Sequence, residues 1–146
     1  MSDEGSEGNT GQGQEAPGLI LAPISVGELF DKISILELKA ACVCDPAARA
    51  NVATELAALR RLRDAHGLSA LVGDLADALA EVNRMLWDVE DAVRRHEAEG
   101  RFDEAFVTLA RSVYRENDRR AALKRQISQI AKSLIVEEKV HFGAGS

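Results

Sequence analysis

Three polar side chains, Asn117, Arg120 and Lys124, interrupt the apolar stripe of a long predicted helix. The stripe itself consists of residues at helical spacing: Phe106, Leu109, Ala110, Val113, Ala121, Ile127, Ala131 and Leu134. Burying an unpaired amide or charge is costly, so these three side chains need partners or a ligand. An arginine fork and a lysine ammonium group both suit phosphate or carboxylate. The pattern predicts either an anion-binding pocket or a buried network that fixes helix register, with partners on other helices: Glu37, Asn83 and Glu90.

Further candidates for ligand binding lie on neighbouring faces. Arg111 and Tyr114 share a face with Asp118 and Arg125 at spacings of three, four and seven. Such a row is typical of a solvated helix surface, although a tyrosine between basic residues could also hold a sugar or base ring. Two lysines of the first predicted helix complete the set of candidate ligand-binding residues: Lys32 and Lys39.

Acidic residues offer weaker candidates for catalysis. Glu28 and Glu90 could act as an acid or a base, and Asp31 and Asp91 could hold Mg²⁺, which prefers oxygen ligands. These acids do not line up on one helical face, and Glu28 also has a capping role. The sequence therefore requires no metal and no cofactor, and Mg²⁺ is an alternative only.

The elements that would position these residues are predicted to be helices. Alanine, leucine, glutamate and arginine dominate, and no proline follows Pro46. Ser25 and Glu28 form a capping box, and Asp45 precedes Pro46 as a helix start. The expected architecture is an all-α domain of four main helices, with helix one from Ser25, helix two from Pro46 to about His66, helix three from Ser69 to about Glu99 and helix four from Asp103 to Leu134.

Helices three and four are expected to form a long antiparallel hairpin. Residues 74–104 contain ten acidic residues and four arginines, whereas residues 111–132 contain seven basic residues and two acidic ones. Helix four either runs unbroken or bends at Asn117-Asp118. Residues 19–24 and 134–142 could add a short strand pair. The expected domain limits are a disordered acidic head (1–17), a helical domain (18–142) and a flexible tail (143–146).

Composition narrows the class of protein. The net charge is −6, and the basic stretch has an acidic helix to pair with, so no nucleic-acid partner is expected. No apolar run is long enough to span a membrane, and no signal peptide is evident, so we expect a soluble cytoplasmic protein. Cys42 and Cys44 are predicted to be buried and unpaired, because residues two apart on a helix point in nearly opposite directions.

Four strings together resemble an uncharacterised bacterial family, a domain of unknown function associated with polysaccharide or glycosyltransferase contexts. They are PISVGELFDKISILELK (23–39), LWDVEDAVR (86–94), LARSVYRENDRRAALKRQI (109–127) and VEEK (136–139). The resemblance implies no activity. It implies a signature rich in polar residues: Glu28, Asp31, Lys32, Lys39, Glu90, Arg111, Tyr114, Asn117, Asp118, Arg120, Lys124, Glu137 and Glu138.

Two functional hypotheses follow. In the first, the protein is an accessory or interaction protein, in a surface-polysaccharide context by the family association, with a protein partner or a second copy of itself. In the second, it is a small enzyme or binding domain for a phosphorylated or carboxylated metabolite. Arg120 and Lys124 would then bind the anion, and Glu28 or Glu90 would act as acid or base. Whether the polar side chains pair with each other or line an open pocket distinguishes the two.

Overall fold

The computed structural model describes the backbone of residues 18–143 and the side chains of residues 18–132. The first helix, α1 (Val26–Cys42), begins at the predicted cap, where the Ser25 hydroxyl accepts a hydrogen bond from the Glu28 amide at 3.2 Å. The Glu28 carboxylate does not complete the capping box, because it reaches across to a later helix. Apolar side chains cover α1 on several sides, so this helix is central, as its pattern predicts.

The second helix, α2 (Pro46–Ala65), also begins as predicted, with Asp45 Oδ2 accepting from the Ala48 amide at 2.9 Å. The predicted third helix is wrong in one respect. It is divided into α3 (Ser69–Val72) and α4 (Asp74–Glu99) by Gly73, whose φ of 40° is unfavourable for any residue with a Cβ. Ser69 is accordingly the first residue of α3, which begins without a side-chain cap.

The last helix, α5 (Glu104–Gly143), is continuous through Asn117-Asp118, as the alternative of an unbroken helix predicts. Asp103 Oδ1 caps it by accepting from the Phe106 amide at 3.0 Å. The predicted strand pair is also wrong, because residues 134–142 continue α5 and residues 19–24 form no strand. The predicted head (1–17) and the end of the tail (144–146) lie outside the described residues. No helix in the described part is both long and apolar enough to cross a membrane.

The architecture is a single all-α domain built on the predicted antiparallel hairpin of α4 and α5. Gly100, in the left-handed conformation at φ 63°, ends α4 and lets the chain reverse. The helices α1, α2 and α3 pack at the opposite end of the hairpin, where the buried core gathers residues from every helix, including Leu36, Leu56, Val72, Leu79 and Ile127. Cys42 and Cys44 are exposed, contrary to the prediction of burial.

The hairpin extends beyond this core. We call residues 85–99 of α4 and 104–117 of α5 the distal arm. Its apolar residues follow a seven-residue pattern, but Leu86 and His96 are its only buried residues within the described part of the chain. Two helices alone cannot enclose a core, so the arm leaves the rest of its apolar stripe partly accessible to solvent.

Candidate functional site

The predicted polar side chains of α5 meet α1 through one buried carboxylate. Arg120 Nε donates to Asp31 Oδ1 at 2.8 Å, and Arg120 Nη2 donates to Asp31 Oδ2 at 2.5 Å. This two-point contact matches the planar fork of the guanidinium group to the carboxylate. Asn117 lies one turn away and accepts from Arg120 Nη1 at 3.5 Å, the limit of a hydrogen bond. The two shortest hydrogen bonds of the Arg120 side chain are therefore those to the Asp31 carboxylate.

The helix α4 contributes the amide of Asn83 to the same cluster. Asn83 Nδ2 donates to Asp31 Oδ1 at 3.0 Å and to the Ser34 hydroxyl at 2.6 Å. Ser34 in turn donates to the backbone carbonyl of Asp31 at 2.9 Å. Asp31, Ser34 and Asn83 are all buried, so α1, α4 and α5 are joined by polar contacts inside the core.

A second ion pair continues this line of contacts towards the start of α1. Lys124 Nζ lies 2.6 Å from Glu28 Oε1 and 3.8 Å from Asp31 Oδ2. We call the whole cluster the polar seam, with these members: Glu28, Asp31, Ser34, Asn83, Arg120 and Lys124. Every buried side-chain nitrogen and oxygen among the described residues has a hydrogen-bond partner.

Gly27 permits α1 to approach α5 this closely. A Cβ atom at Gly27 would collide with the backbone carbonyl of Lys124. The Gly27 amide, left free in the first turn of α1, donates to the Ser128 hydroxyl at 3.0 Å. Gly27, Asp31 and Ser34 follow each other at spacings of four and three, so one row of small or polar residues on α1 faces the hairpin.

The electrostatics of the polar seam favour its charged form. Burial by itself would raise the pKa of Asp31, but hydrogen bonds from Arg120 and Asn83, together with the charges of Arg120 and Lys124, outweigh burial and hold that pKa below its usual value. The hydrogen bond to Asp31 raises the pKa of Arg120, and the carboxylates of Glu28 and Glu90 add to this rise. Both partners are therefore ionised at neutral pH.

The charged side chains of the polar seam are paired, but two of them remain partly accessible to solvent. The side chains of Arg120 and Lys124 retain 29% and 23% of their exposure, respectively. Lys124 borders a groove of about 480 Å³ between the start of α1 and α5, lined by Ser25, Glu28, Ala121, Lys124, Arg125, Ser128 and Gln129. This groove is the part of the site where an external anion would meet a basic side chain.

Several predicted site residues lie away from the seam. Glu37, proposed as a seam partner, is exposed and pairs instead with Arg60 of α2 at 2.9 Å. Lys32, Lys39, Glu90, Asp91 and Arg111 are exposed, and of these Glu90 approaches Arg120 closely enough to affect its pKa. Tyr114 is also exposed, and hydrogen bonds with Arg111 and Arg115 lower its pKa.

The two aspartates named as possible magnesium ligands are not brought together. Asp31 is buried on α1, whereas Asp91 is exposed on α4. Both Asp31 oxygens bind the guanidinium group, where a metal ion would need them free. Across the described residues, no cluster of three or more His, Cys, Asp or Glu side chains has the placement of a metal site.

Comparison with known proteins identifies the family. A family model described as a family of unknown function, DUF6165, matches residues 20–144. The chain belongs to DUF6165. This confirms the prediction, made from four sequence strings, that the chain is a member of an uncharacterised family, and the matched range includes every helix of the DUF6165 domain described above. Searches of curated proteins and of solved structures gave no match.

Proposed function

We propose that the protein is a non-enzymatic accessory or interaction protein, in which the polar seam acts as a structural brace. The observation that carries this proposal is the two-point contact between Asp31 and Arg120, which commits both carboxylate oxygens and two donors of the arginine to each other. A catalytic carboxylate or an anion-binding arginine would need these atoms for substrate.

The position of the polar seam supports the same proposal. It joins α1 to α4 and α5 at the inner end of the distal arm, through Asn83, Arg120 and Lys124. Buried polar contacts can specify a single register between helices, because a shifted register would leave them unpaired. The seam thus holds the arm in one orientation relative to the core.

The distal arm offers the surface that a partner would bind. Val107 and Tyr114 are 50% and 53% exposed and lie two turns apart on α5. Trp87 of α4 is half-buried. Tryptophan, tyrosine and arginine are the residue types that dominate binding energy at protein interfaces. The proposal includes a bacterial cytoplasmic location and a role in a surface-polysaccharide context, which the family resemblance implies.

Site-specific photo-crosslinking in cells tests the proposal. A photoreactive amino acid replaces Tyr114 in one variant and Thr54, an exposed residue on the outer side of α2, in the control. We expect a discrete covalent adduct of defined mass at position 114 and none at position 54. Adducts at neither position, or equal adducts at both, would count against a binding surface on the arm.

The groove beside Lys124 favours a second candidate function, the binding of an anionic metabolite. Lys124 is partly exposed there, and Arg125 adds a second cation. A thermal-shift screen with inorganic phosphate, nucleotides, nucleotide-sugars and phosphorylated sugars, each with and without Mg²⁺, tests it, because a ligand of the folded state raises Tm. A shift that disappears in both Lys124→Ala and Arg125→Ala would support this candidate, and no shift with any anion would exclude it.

A further inference from the structure

We infer that the groove beside Lys124 is a docking site for the acidic head of the same chain, residues 1–17. The head contains no lysine or arginine, and it carries four of the six net negative charges of the chain, on these residues: Asp3, Glu4, Glu7 and Glu15. The inference goes beyond both proposed functions, because it concerns which part of the chain itself fills this groove.

The groove presents cations that the fold leaves available. Lys124 pairs at 2.6 Å with Glu28, the one acidic residue among the described residues that line the groove. Arg125 is exposed on its rim, and Lys132 is exposed two turns later on the same face of α5, about 10 Å away. Within the described part of the chain, no carboxylate lies at ion-pair distance from Arg125 or Lys132. These two side chains therefore provide the positive charge that the acidic head needs.

Neutral donors line the groove beside Arg125. The Ser25 hydroxyl accepts a hydrogen bond from the Glu28 amide, and the Ser128 hydroxyl accepts one from the Gly27 amide. Each hydroxyl has one proton of its own to donate outwards. Gln129, which is exposed, adds an amide group with two further protons. A carboxylate in the groove can thus accept hydrogen bonds from these groups while it pairs with Arg125.

A second pocket lies equally close to the attachment point of the head. Ser25 also borders this pocket, which has a volume of about 270 Å³ and lies beside the end of α2. Its lining is mainly apolar and includes Leu62 and Leu68. Two arginines of α2, Arg60 and Arg63, already pair with carboxylates. An acidic segment would lose hydration in this pocket without gaining partners, so charge favours the groove beside α5.

The attachment of the head favours docking within the same molecule. Glu15 precedes Ser25 by ten residues, which span at most about 35 Å when fully extended. Ser25 itself lines the groove, so the acidic residues can reach Arg125 without any rearrangement of the helices. A short tether gives an effective concentration in the millimolar range. Contacts too weak to hold a separate peptide are therefore sufficient here.

The strength of the contact follows from the exposure of its charges. Exposed ion pairs are individually weak, and salt screens them. At a millimolar effective concentration, a contact with an intermolecular Kd of about 1 mM is formed for about half of the time. We expect the head to dock at low ionic strength and to leave the groove at about 1 M salt, where the Debye length is about 3 Å.

Paramagnetic relaxation enhancement in the full chain tests this inference. A nitroxide label is attached to Ser6→Cys, after the two exposed cysteines are replaced by Cys42→Ser and Cys44→Ser. The label broadens the NMR signals of amides near it. We expect stronger broadening in residues 121–132 of α5 than in residues 60–66 of α2, although both segments lie beside the start of α1.

Charge variants distinguish docking from mere proximity. A chain with Arg125→Gln and Lys132→Gln should show at least about twofold less broadening in residues 121–132, and so should the wild-type sequence at about 1 M salt. Arg61→Gln, which removes an exposed arginine near the end of α2, is the matched control and should leave the broadening unchanged. Circular dichroism should show that every variant remains folded.

Neutralising the head completes the test. Replacing its four acids by the corresponding amides should reduce the broadening in residues 121–132 as much as the double substitution in α5 does. Equal broadening of the α2 and α5 segments, or broadening of α5 that survives neutralisation of the head, would overturn the inference. No external anion is added in these measurements, so they are independent of the thermal-shift screen for an anionic metabolite and of the crosslinking test of the distal arm.

Discussion

Replacing Asp31 by asparagine tests the structural role of the polar seam most directly. Asparagine has the same shape and keeps one acceptor for Asn83 and Arg120 Nε. Its amide nitrogen, however, would face Arg120 Nη2, which donates to Asp31 Oδ2 at 2.5 Å in the wild-type chain. The substitution thus sets two donors against each other and leaves the guanidinium charge without its counterion.

The expected loss of stability is substantial. Removing one partner of a fully buried ion pair costs about 3–5 kcal/mol, and an exposed pair is worth about 0–1 kcal/mol. Asp31 is buried, but 29% of the Arg120 side chain remains exposed, so solvent can partly rehydrate the orphaned charge. We therefore expect Asp31→Asn to lower the free energy of unfolding by about 2–3 kcal/mol.

Urea unfolding followed by circular dichroism at neutral pH measures this loss. The control is Glu37→Gln, which removes the exposed Glu37–Arg60 pair and should cost less than about 0.5 kcal/mol. A double-mutant cycle with Arg120→Gln should give a coupling energy of about 1–3 kcal/mol. If Asp31→Asn lowered the free energy of unfolding no more than the control does, this result would contradict the proposal that the charges of the polar seam stabilise the fold.

Three further predictions concern the same helices. Gly27→Ala should destabilise the protein by about 1–3 kcal/mol in the same unfolding assay, because the added methyl group collides with the Lys124 carbonyl; a neutral effect would show that α1 can move away freely. Ile127→Ala should lower stability by about 2–5 kcal/mol, while Ile130→Ala, at a partly exposed site, should cost much less, and equal losses would contradict the packing. Because the pKa of Asp31 is lower in the folded than in the unfolded chain, Asp31 stabilises the fold at pH values above its unfolded-state pKa of about 3.9. This stabilisation is lost as the pH falls through the folded-state pKa. Unfolding titrations should therefore show a steeper acid-induced loss of stability in wild type than in Asp31→Asn.

Local signals were sufficient to predict where most helices begin and end. Ser25 and Asp45 act as predicted caps because capping depends only on residues within one turn. Gly100 ends α4 for the same local reason. Gly73 was missed because a single glycine within an apolar periodic run is usually tolerated, and only its positive φ in the folded chain shows that it divides the predicted helix.

The seam was predicted in outline but with the wrong acidic partner. The interrupted stripe indicates that Arg120 and Lys124 need partners. The acids predicted for this role are Glu37 and Glu90, whereas Asp31 is predicted only as a possible magnesium ligand. The reason is that α1 is apolar on nearly every side, so periodicity alone cannot tell which of its faces meets α5. The missed signal was the row Gly27–Asp31–Ser34, because a glycine at helical spacing from small polar residues marks a close helix–helix approach.

The placement of the polar seam also explains how a long hairpin can keep a single alignment. A repeating apolar stripe on α4 and α5 would pack almost as well after a shift of seven residues, since such a shift replaces apolar side chains by other apolar side chains. Arg120 breaks that equivalence. Only one alignment brings it beside Asn83 and against Asp31 of α1, and every other leaves a buried carboxylate or guanidinium group unpaired. The arm can then be lined with partly exposed apolar residues for a partner, because the register of the hairpin is specified at its inner end and not along its length.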